Sequence, residues 1–279
     1  MTTRREFLAG ATLSAAAAAC IHADPLGLPI GFQSWPMRQQ IAQDFPGTLR
    51  QLAEVGYRRV EMCSPPGYIK YGFGPLAGLK ASEMRRIIAG AGLGCESCHF
   101  NRDELTNHLD ERIAFAKELG LKQMILASFG IPPDGTLDDW RRSAEWLNTV
   151  GEKVQSSGIQ LGYHNHDFEF KKYGDALVYD ELMKTFDPKF IKMQFQVAVI
   201  SLGYDAADFL TKYPGRFISL HCADWSPTEK KVVPLGQGIV NWPRVFTAAR
   251  IGGIKNYFVE VDNLQETKAS YPYVHNLNV

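Results

Sequence analysis

The strongest constraint on the fold of this chain is a repeat in its sequence, in which a short apolar run is followed by a helical stretch eight times over. The apolar runs are typical of buried strands, and the stretches between them carry apolar residues at the spacing of a helix. Parallel strands need a long crossover connection, which a helix supplies. The repeat therefore predicts an α/β protein built on a parallel sheet.

Eight strand–helix units in roughly 255 residues match the size of a (β/α)8 barrel, or TIM barrel. The predicted strands cover residues 28–35, 57–63, 94–100, 122–129, 159–166, 189–199, 216–225 and 255–262. Thr136 is expected to cap the long helix that follows it. An open doubly wound sheet is the alternative, but no GxGxxG motif follows the first strand to support a dinucleotide fold. We find no linker and expect a single domain over residues 24–279.

The charge balance limits what the protein can bind. The 279 residues include 30 basic and 30 acidic side chains, so the chain has no positive excess with which to neutralise nucleic-acid phosphates. A metal-dependent endonuclease on a related barrel needs a basic face and several metal ions, and this hypothesis is remote. We expect a small-molecule partner and no nucleic acid, and we leave the oligomeric state, a homo-oligomer included, open.

The first residues have the pattern of a targeting segment. Arg4 and Arg5 stand in TRREFLAG, and the small-residue apolar stretch ATLSAAAAAC follows. This order predicts a twin-arginine export signal over residues 1–23, cleavage after Ala23 and a periplasmic protein. An ordinary amphipathic helix is disfavoured because the stretch has no polar face. Lipid attachment at Cys20 is a minority alternative, and no later apolar run is long enough to span a membrane.

Histidines gather where the predicted strands end. His164 and His166 lie in LGYHNHDFEF, and because side chains alternate along a strand, we expect both to point to one face. His99 and His221 also fall at strand ends, so four of the seven histidines in the chain have this position. The active sites of such barrels lie at the C-terminal ends of the strands. We therefore expect the four imidazoles around one opening.

Metal ligation explains this clustering most simply, because imidazole nitrogen and carboxylate oxygen together suit Zn, Mn, Co or Ni. We predict one divalent metal ion held by His164, His221 and Glu260. Gln196 is expected to be a weak fourth ligand or a hydrogen-bond donor beside the ion. For Glu61, which lies in the second strand, a role in the site and a purely structural role are equally open.

Three segments, KYPGRFISLHCADW, VPLGQGIVNW and NYFVEVD, resemble the last third of the xylose isomerase-like barrel family, whose members are also described as sugar phosphate isomerases/epimerases. The resemblance implies one divalent metal held by Glu, Asp, His and Glu from strands 5, 6, 7 and 8. His221 and Glu260 occupy the last two of these positions. His164 stands where the family has the strand 5 Glu, and Gln196 stands where it has the strand 6 Asp.

The two replacements remove two negative charges from the expected site, which disfavours Mg and Ca relative to Zn, Co, Ni or Mn. The resemblance also implies removal of a proton from the carbon next to a carbonyl, with a pair of carboxylates moving the proton. Because one carboxylate of that pair is replaced, we expect the proton-transfer groups among Glu260, His166, His99 and Glu169.

The expected function is that of a metal-dependent sugar isomerase or epimerase acting on a sugar or an oxidised glycoside. A lyase or dehydratase acting on a keto-glycoside begins with the same proton removal, and the residues do not separate the two. A non-catalytic sugar-binding barrel is a further alternative, favoured by the neutral side chains of His164 and Gln196.

Overall fold

Eight parallel strands close on themselves in the computed structural model, which describes residues 24–279. They are β1 (Gly31–Gln33), β2 (Arg59–Cys63), β3 (Gly94–Phe100), β4 (Gln123–Leu126), β5 (Gln160–His164), β6 (Ile191–Gln196), β7 (Phe217–Cys222) and β8 (Asn256–Val259). Strands that follow one another in sequence pair in parallel, and β1 also pairs with β8 through Gly31 and Phe258. The predicted (β/α)8 barrel is confirmed, and the open doubly wound sheet is excluded.

One or two α-helices follow every strand of the barrel. They are α1 (Arg38–Gln43), α2 (Phe45–Val55), α3 (Ala81–Gly90), α4 (Arg102–Asn107), α5 (Leu109–Leu119), α6 (Leu137–Ser156), α7 (Val178–Thr185), α8 (Ala206–Lys212), α9 (Trp242–Gly252) and α10 (Leu264–His275). Short antiparallel ribbons lie in the connections after β5 and β7, formed by Lys172–Tyr173 with Ala176–Leu177 and by Asp224–Ser226 with Lys231–Val233.

The longest helix shows how local sequence sets these elements. Thr136 caps α6 as predicted, because its side chain accepts the Asp139 amide while the Asp139 side chain accepts the Thr136 amide. Leu147 and Val154, seven residues apart on α6, are both fully buried, as a helix face packed on a core requires. The stretch 101–120, whose apolar spacing is typical of one helix, is instead split into α4 and α5 at His108, whose backbone angles are not helical.

Seven of the eight strands are shorter than the apolar runs that predicted them, and β3 matches its predicted range of 94–100. β5 ends at His164, whose pairing partner is Gln194 in β6, and no residue beyond it in the chain continues the ladder. His166 therefore lies in the loop after β5 and not in the strand, so the prediction that it shares a strand face with His164 is wrong. Apolar composition continues past the point at which neighbouring strands supply partners, so it overestimates strand length.

Three cysteines of the barrel strands, Cys63, Cys98 and Cys222, are buried and form no disulfide within residues 24–279, so they pack as small apolar residues. Among residues 24–279, no helix combines the length and the apolar character that crossing a membrane requires. The predicted export signal and Cys20 lie outside the described residues, so these predictions stay untested.

Candidate metal and catalytic site

A cavity of about 620 Å³ opens at the carboxyl ends of the barrel strands. Five side chains from the predicted site line it: His99, His164, His166, Gln196 and Glu260. They come from β3, β5, the loop after β5, the end of β6 and the residue after β8. Closure of the barrel therefore brings together residues that are up to 161 positions apart in the chain, counted from residue 99 to residue 260.

Three of the histidines form a compact group. One ring nitrogen each of His99, His164 and His221 lies within 4.8 Å of the others, and all three side chains are buried. The rings of His164 and His221 are 4.4 Å apart, and those of His99 and His221 are stacked at 5.1 Å between centroids. The group shares His164 and His221 with the predicted ligand set, and it adds His99, which the sequence had suggested for proton transfer.

Glu61 lies fully buried against this group. Five side chains surround its two carboxylate oxygens: Gln33, Ser97, His99, Gln194 and His221. Its Oε2 is 2.5 Å from Nε2 of His221 and 3.2 Å from Nε2 of His99. Burial by itself raises the Glu61 pKa, but His99 and His221 outweigh burial and hold the pKa well below its ordinary range. Glu61 is therefore ionised, and the geometry favours a role in the site.

Glu260 lies on the other side of His221 and faces the cavity with 17% of its side chain exposed. Its Oε2 is 2.8 Å from Nδ1 of His221 and accepts the side-chain amide of Gln196 at 2.6 Å. Burial opposes ionisation of Glu260, yet His221 lowers the pKa of the carboxyl below its usual value. The Gln196 oxygen accepts the backbone amide of Ala198, so the arrangement makes Gln196 a donor to Glu260.

His164 and His166 are held in the neutral form. Burial, the largest influence, lowers the pKa of His164 well below its ordinary value and that of His166 to about 4. The Nδ1 atom of each ring is buried, and no group within residues 24–279 forms a hydrogen bond with it. Burial also lowers the pKa of His221, but Glu260 and Glu61 outweigh burial there and raise the His221 pKa to about 10.

The side chains present fit a divalent metal ion. Neutral imidazole is the metal-binding form of histidine. The buried Nδ1 of His164 has no hydrogen-bond partner among the described residues, so it is available as a metal ligand. Glu61 adds an ionised oxygen next to two of the three imidazoles. His221, whose Nε2 faces Glu61 and whose pKa is raised, would release a proton on joining them. The resulting set of three nitrogen ligands with a carboxylate is one that zinc and similar ions favour.

Glu169, which the sequence suggested as a proton-transfer group, is fully buried and is not among the residues that line the cavity. Its carboxylate accepts the Tyr163 hydroxyl and the backbone amide of His166, the latter at 2.7 Å. Phe168 stacks on the His166 ring with centroids 4.9 Å apart. Glu169 and Phe168 therefore hold the loop that carries His166.

Several residues that contact the site lay beyond the predicted set. Ser97 and Gln194 both donate to Glu61, and each lies two positions before a predicted site residue on its strand. The period-two alternation of strands is the signal that could have found them. Arg38, the first residue of α1, also lines the cavity, and no pattern in the sequence singled it out.

The protein is a (β/α)8 barrel that carries a cluster of histidine and carboxylate side chains at the carboxyl ends of its strands. A sequence profile of the family described as Xylose isomerase-like TIM barrel matches residues 49–269. The chain belongs to this family. The resemblance drawn from the strand 7 and strand 8 segments is thereby confirmed at the level of the family.

Two curated relatives are inosose dehydratases. That of Bacillus cereus is 21% identical over 63% of this chain and 67% of its own length. That of Clostridium perfringens is 24% identical over 52% of this chain, which spans about half, 53%, of the relative. Among solved structures, a sugar phosphate isomerase/epimerase from Parabacteroides distasonis is 25% identical, with a TM-score of 0.74 over 88% of this chain and 93% of its own.

Two structural neighbours contain metal ions. A xylose isomerase-like TIM barrel protein from Mycobacterium smegmatis was solved in complex with magnesium, at 17% identity and a TM-score of 0.65, covering 90% of this chain and 97% of its own. The IOLI protein was solved with a bound zinc atom, at 13% identity and a TM-score of 0.64, covering 89% of this chain and 98% of its own. At these identities the likeness concerns the fold alone.

Proposed function

We propose that this protein is a metal-dependent enzyme of the sugar isomerase/epimerase type, which removes a proton next to a carbonyl of a sugar or an oxidised glycoside. The observation that carries the proposal is the cavity in which the Glu260 carboxylate and the neutral His166 imidazole lie beside the three-histidine group. The family and the sugar isomerase/epimerase among its structural neighbours support the substrate class.

His99, His164 and His221 would hold the metal, with Glu61 beside them, and zinc, manganese, cobalt or nickel suits these donors. The set implied by the family resemblance, which adds Glu260 and Gln196 to His164 and His221, is the alternative ligand set. When bound, the ion supplies a Lewis acid that polarises a carbonyl or hydroxyl and makes the adjacent C–H bond acidic.

The protein groups then have distinct tasks. Glu260, ionised and exposed to the cavity, accepts the proton from carbon. The Gln196 amide and the His221 ring fix the orientation of its carboxylate through Oε2, and among the described residues neither of these two contacts uses Oε1, which would take the proton. His166 lines the same cavity and is positioned to exchange a proton with a substrate oxygen.

A dehydratase is the second candidate, and the two inosose dehydratases among the relatives favour it. After Glu260 has removed the proton, the C–O bond on the neighbouring carbon breaks and a C=C bond forms. The departing oxygen leaves as water with a proton that His166 donates and that Glu260 replaces, so both groups return to their starting states. The product is an enone, which ultraviolet absorption detects, whereas isomerisation leaves the number of oxygen atoms in the sugar unchanged.

Metal analysis of the purified protein and solvent deuterium exchange test the proposal together. We expect about one divalent ion per chain and uptake of deuterium into methyl 3-keto-β-D-glucopyranoside or D-fructose. Glu260→Gln should keep the ion and lower the exchange rate roughly 100- to 10,000-fold. Glu145→Gln, an exposed carboxylate on α6, is the matched control and should leave both unchanged.

Two results would contradict the proposal. A wild-type protein that binds no divalent ion under any loading condition would remove the metal, and with it the proposed chemistry. Metal-loaded protein that binds these sugars without exchanging deuterium would instead support the non-catalytic sugar-binding barrel.

A further inference from the structure

Three aromatic side chains, Trp35, Tyr68 and Tyr71, form a contiguous cluster beside the cavity that we call the aromatic platform. Trp35 and Tyr68 line the cavity, and Tyr71 contacts both, with its ring inclined at 54° to each of theirs. The rings of Trp35 and Tyr71 are 5.4 Å apart, those of Trp35 and Tyr68 are 6.0 Å apart, and those of Tyr68 and Tyr71 are 6.1 Å apart. Tyr71 is 54% exposed, and the neighbouring Ile69 is 55% exposed. Clustered exposed apolar side chains of this size mark binding surfaces more often than scattered ones do.

The aromatic platform is continuous with the site. Trp35 and Tyr68 line the same cavity as His166 and Glu260. Arg38 lines this cavity too, with its guanidinium 4.6 Å over the Trp35 ring and its Nη1 donating to the Trp35 carbonyl at 3.0 Å. Among residues 24–279, no carboxylate forms an ion pair with Arg38, so its remaining N–H groups are available to a ligand.

Hydrogen bonds to buried groups hold the platform loop in place. Tyr68 and Tyr71 lie in the 3-10 segment Pro65–Tyr71, and the preceding Ser64 donates to buried Glu104 at 2.6 Å. Asn101 donates to the Gly67 carbonyl at 2.7 Å. A Cβ atom at Gly67 would lie 1.9 Å from the Glu104 carboxylate, so only glycine fits there without a shift. The aromatic platform is thus preorganised, which lowers the entropic cost of binding.

We propose that the aromatic platform is a subsite for the second ring of a glycoside. The sugar ring that reacts lies beside Glu260, and the ring attached to it packs against Tyr71 and the part of Trp35 that Arg38 leaves uncovered, with Arg38 donating to its oxygen atoms. Aromatic faces suit the apolar face of such a ring. The cavity volume of about 620 Å³ falls in the range of sites for drug-sized ligands, which a two-ring compound resembles more than a single sugar does.

The inference rests on the proposed function only for the placement of the reacting ring, so binding of unreactive ligands tests it separately. The probes are methyl β-D-glucopyranoside, phenyl β-D-glucopyranoside and cellobiose, measured by calorimetry on the full chain. We expect at least one two-ring probe to bind roughly three- to tenfold more tightly than the methyl glucoside. Tyr71→Ala should remove most of that difference. Ile251→Ala, equally exposed on α9, is the matched control and should preserve it.

The pattern of affinities decides the kind of second ring. A preference for the phenyl glucoside indicates an aromatic aglycone, and a preference for cellobiose indicates a second sugar. Equal affinity for all three probes, no measurable binding of any of them, or a preference that Tyr71→Ala leaves intact would overturn the inference. In each of these cases, deuterium exchange into D-fructose, which has no second ring, would still test the proposed function separately.

Discussion

Glu61 and Glu169 are both fully buried carboxylates near the carboxyl ends of the strands, and their surroundings drive their pKa values in opposite directions. Around Glu61, the imidazoles of His99 and His221 outweigh the effect of burial and hold its pKa far below the ordinary range. Around Glu169, burial dominates and raises its pKa to about 8, because a phenol hydroxyl and backbone amides are its hydrogen-bond donors.

The difference shows that burial alone does not decide whether an interior carboxyl is charged. A buried anion needs a counter-charge, and only the region around Glu61 offers one. Neutral donors lower the pKa of Glu169 by too little to cancel the cost of burying its charge. The Glu61 region is therefore suited to a cation, whereas the Glu169 region suits a neutral carboxyl that holds the His166 loop.

The comparison is tested most strongly by making the same substitution in both regions. Glu61→Gln should lower the free energy of unfolding at pH 7 by about 3 kcal/mol, because it removes one partner of a buried charge pair with His221. Urea denaturation of the chelator-treated protein measures the change. Glu169→Gln is the matched control, and we expect it to change the free energy by about 1 kcal/mol or less at pH 7. Equal losses in the two variants would show that burial, not charge, sets the cost.

The pH dependence of stability sharpens the comparison further. The folded-state pKa of Glu169 is raised from 4.5 to about 8, so the folded protein binds a proton that the unfolded chain has released. The stabilisation that this bound proton provides is complete below about pH 4.5. It is lost between about pH 4.5 and pH 8, by up to about 1.4 kcal/mol per pH unit.

Glu169→Gln should remove this slope, so the variant becomes more stable than the wild type above about pH 8. Denaturation midpoints measured from pH 5 to 9 check the prediction. Parallel pH profiles for the wild type and the variant would mean that Glu169 is ionised throughout this range in the folded protein.

Much of the fold could be predicted because its signals are local. Apolar runs alternate with helical spacing throughout the chain, and the capping box that begins at Thr136 marks the start of α6. The end of β5 could not be predicted, because it depends on where β6 ceases to offer pairing partners beyond Gln194. The break at His108 interrupts a stretch whose apolar spacing continues through it, so periodicity alone did not reveal two helices.

The candidate site was predictable only in part, for a related reason. His99, His164 and His221 stand at strand ends, and the rule for barrel active sites was enough to group them. The short contact between Glu61 and His221 joins residues 160 positions apart and forms only when the barrel closes. Sequence reasoning therefore left Glu61 open, and it missed Arg38, whose place in the cavity depends on the turn after β1.

The smallest predicted effect concerns the bond that links Tyr163 to Glu169. Tyr163→Phe removes a buried hydroxyl and should lower the free energy of unfolding by about 1 kcal/mol at pH 6, where Glu169 is neutral. Because the hydroxyl lowers the Glu169 pKa, its loss should also raise the pH at which the decline in stability levels off, which is about 8 in the wild type. Denaturation at several pH values measures both effects. A shift toward lower pH would mean that the hydroxyl stabilises the protonated carboxyl, and that the two regions differ in more than their counter-charge.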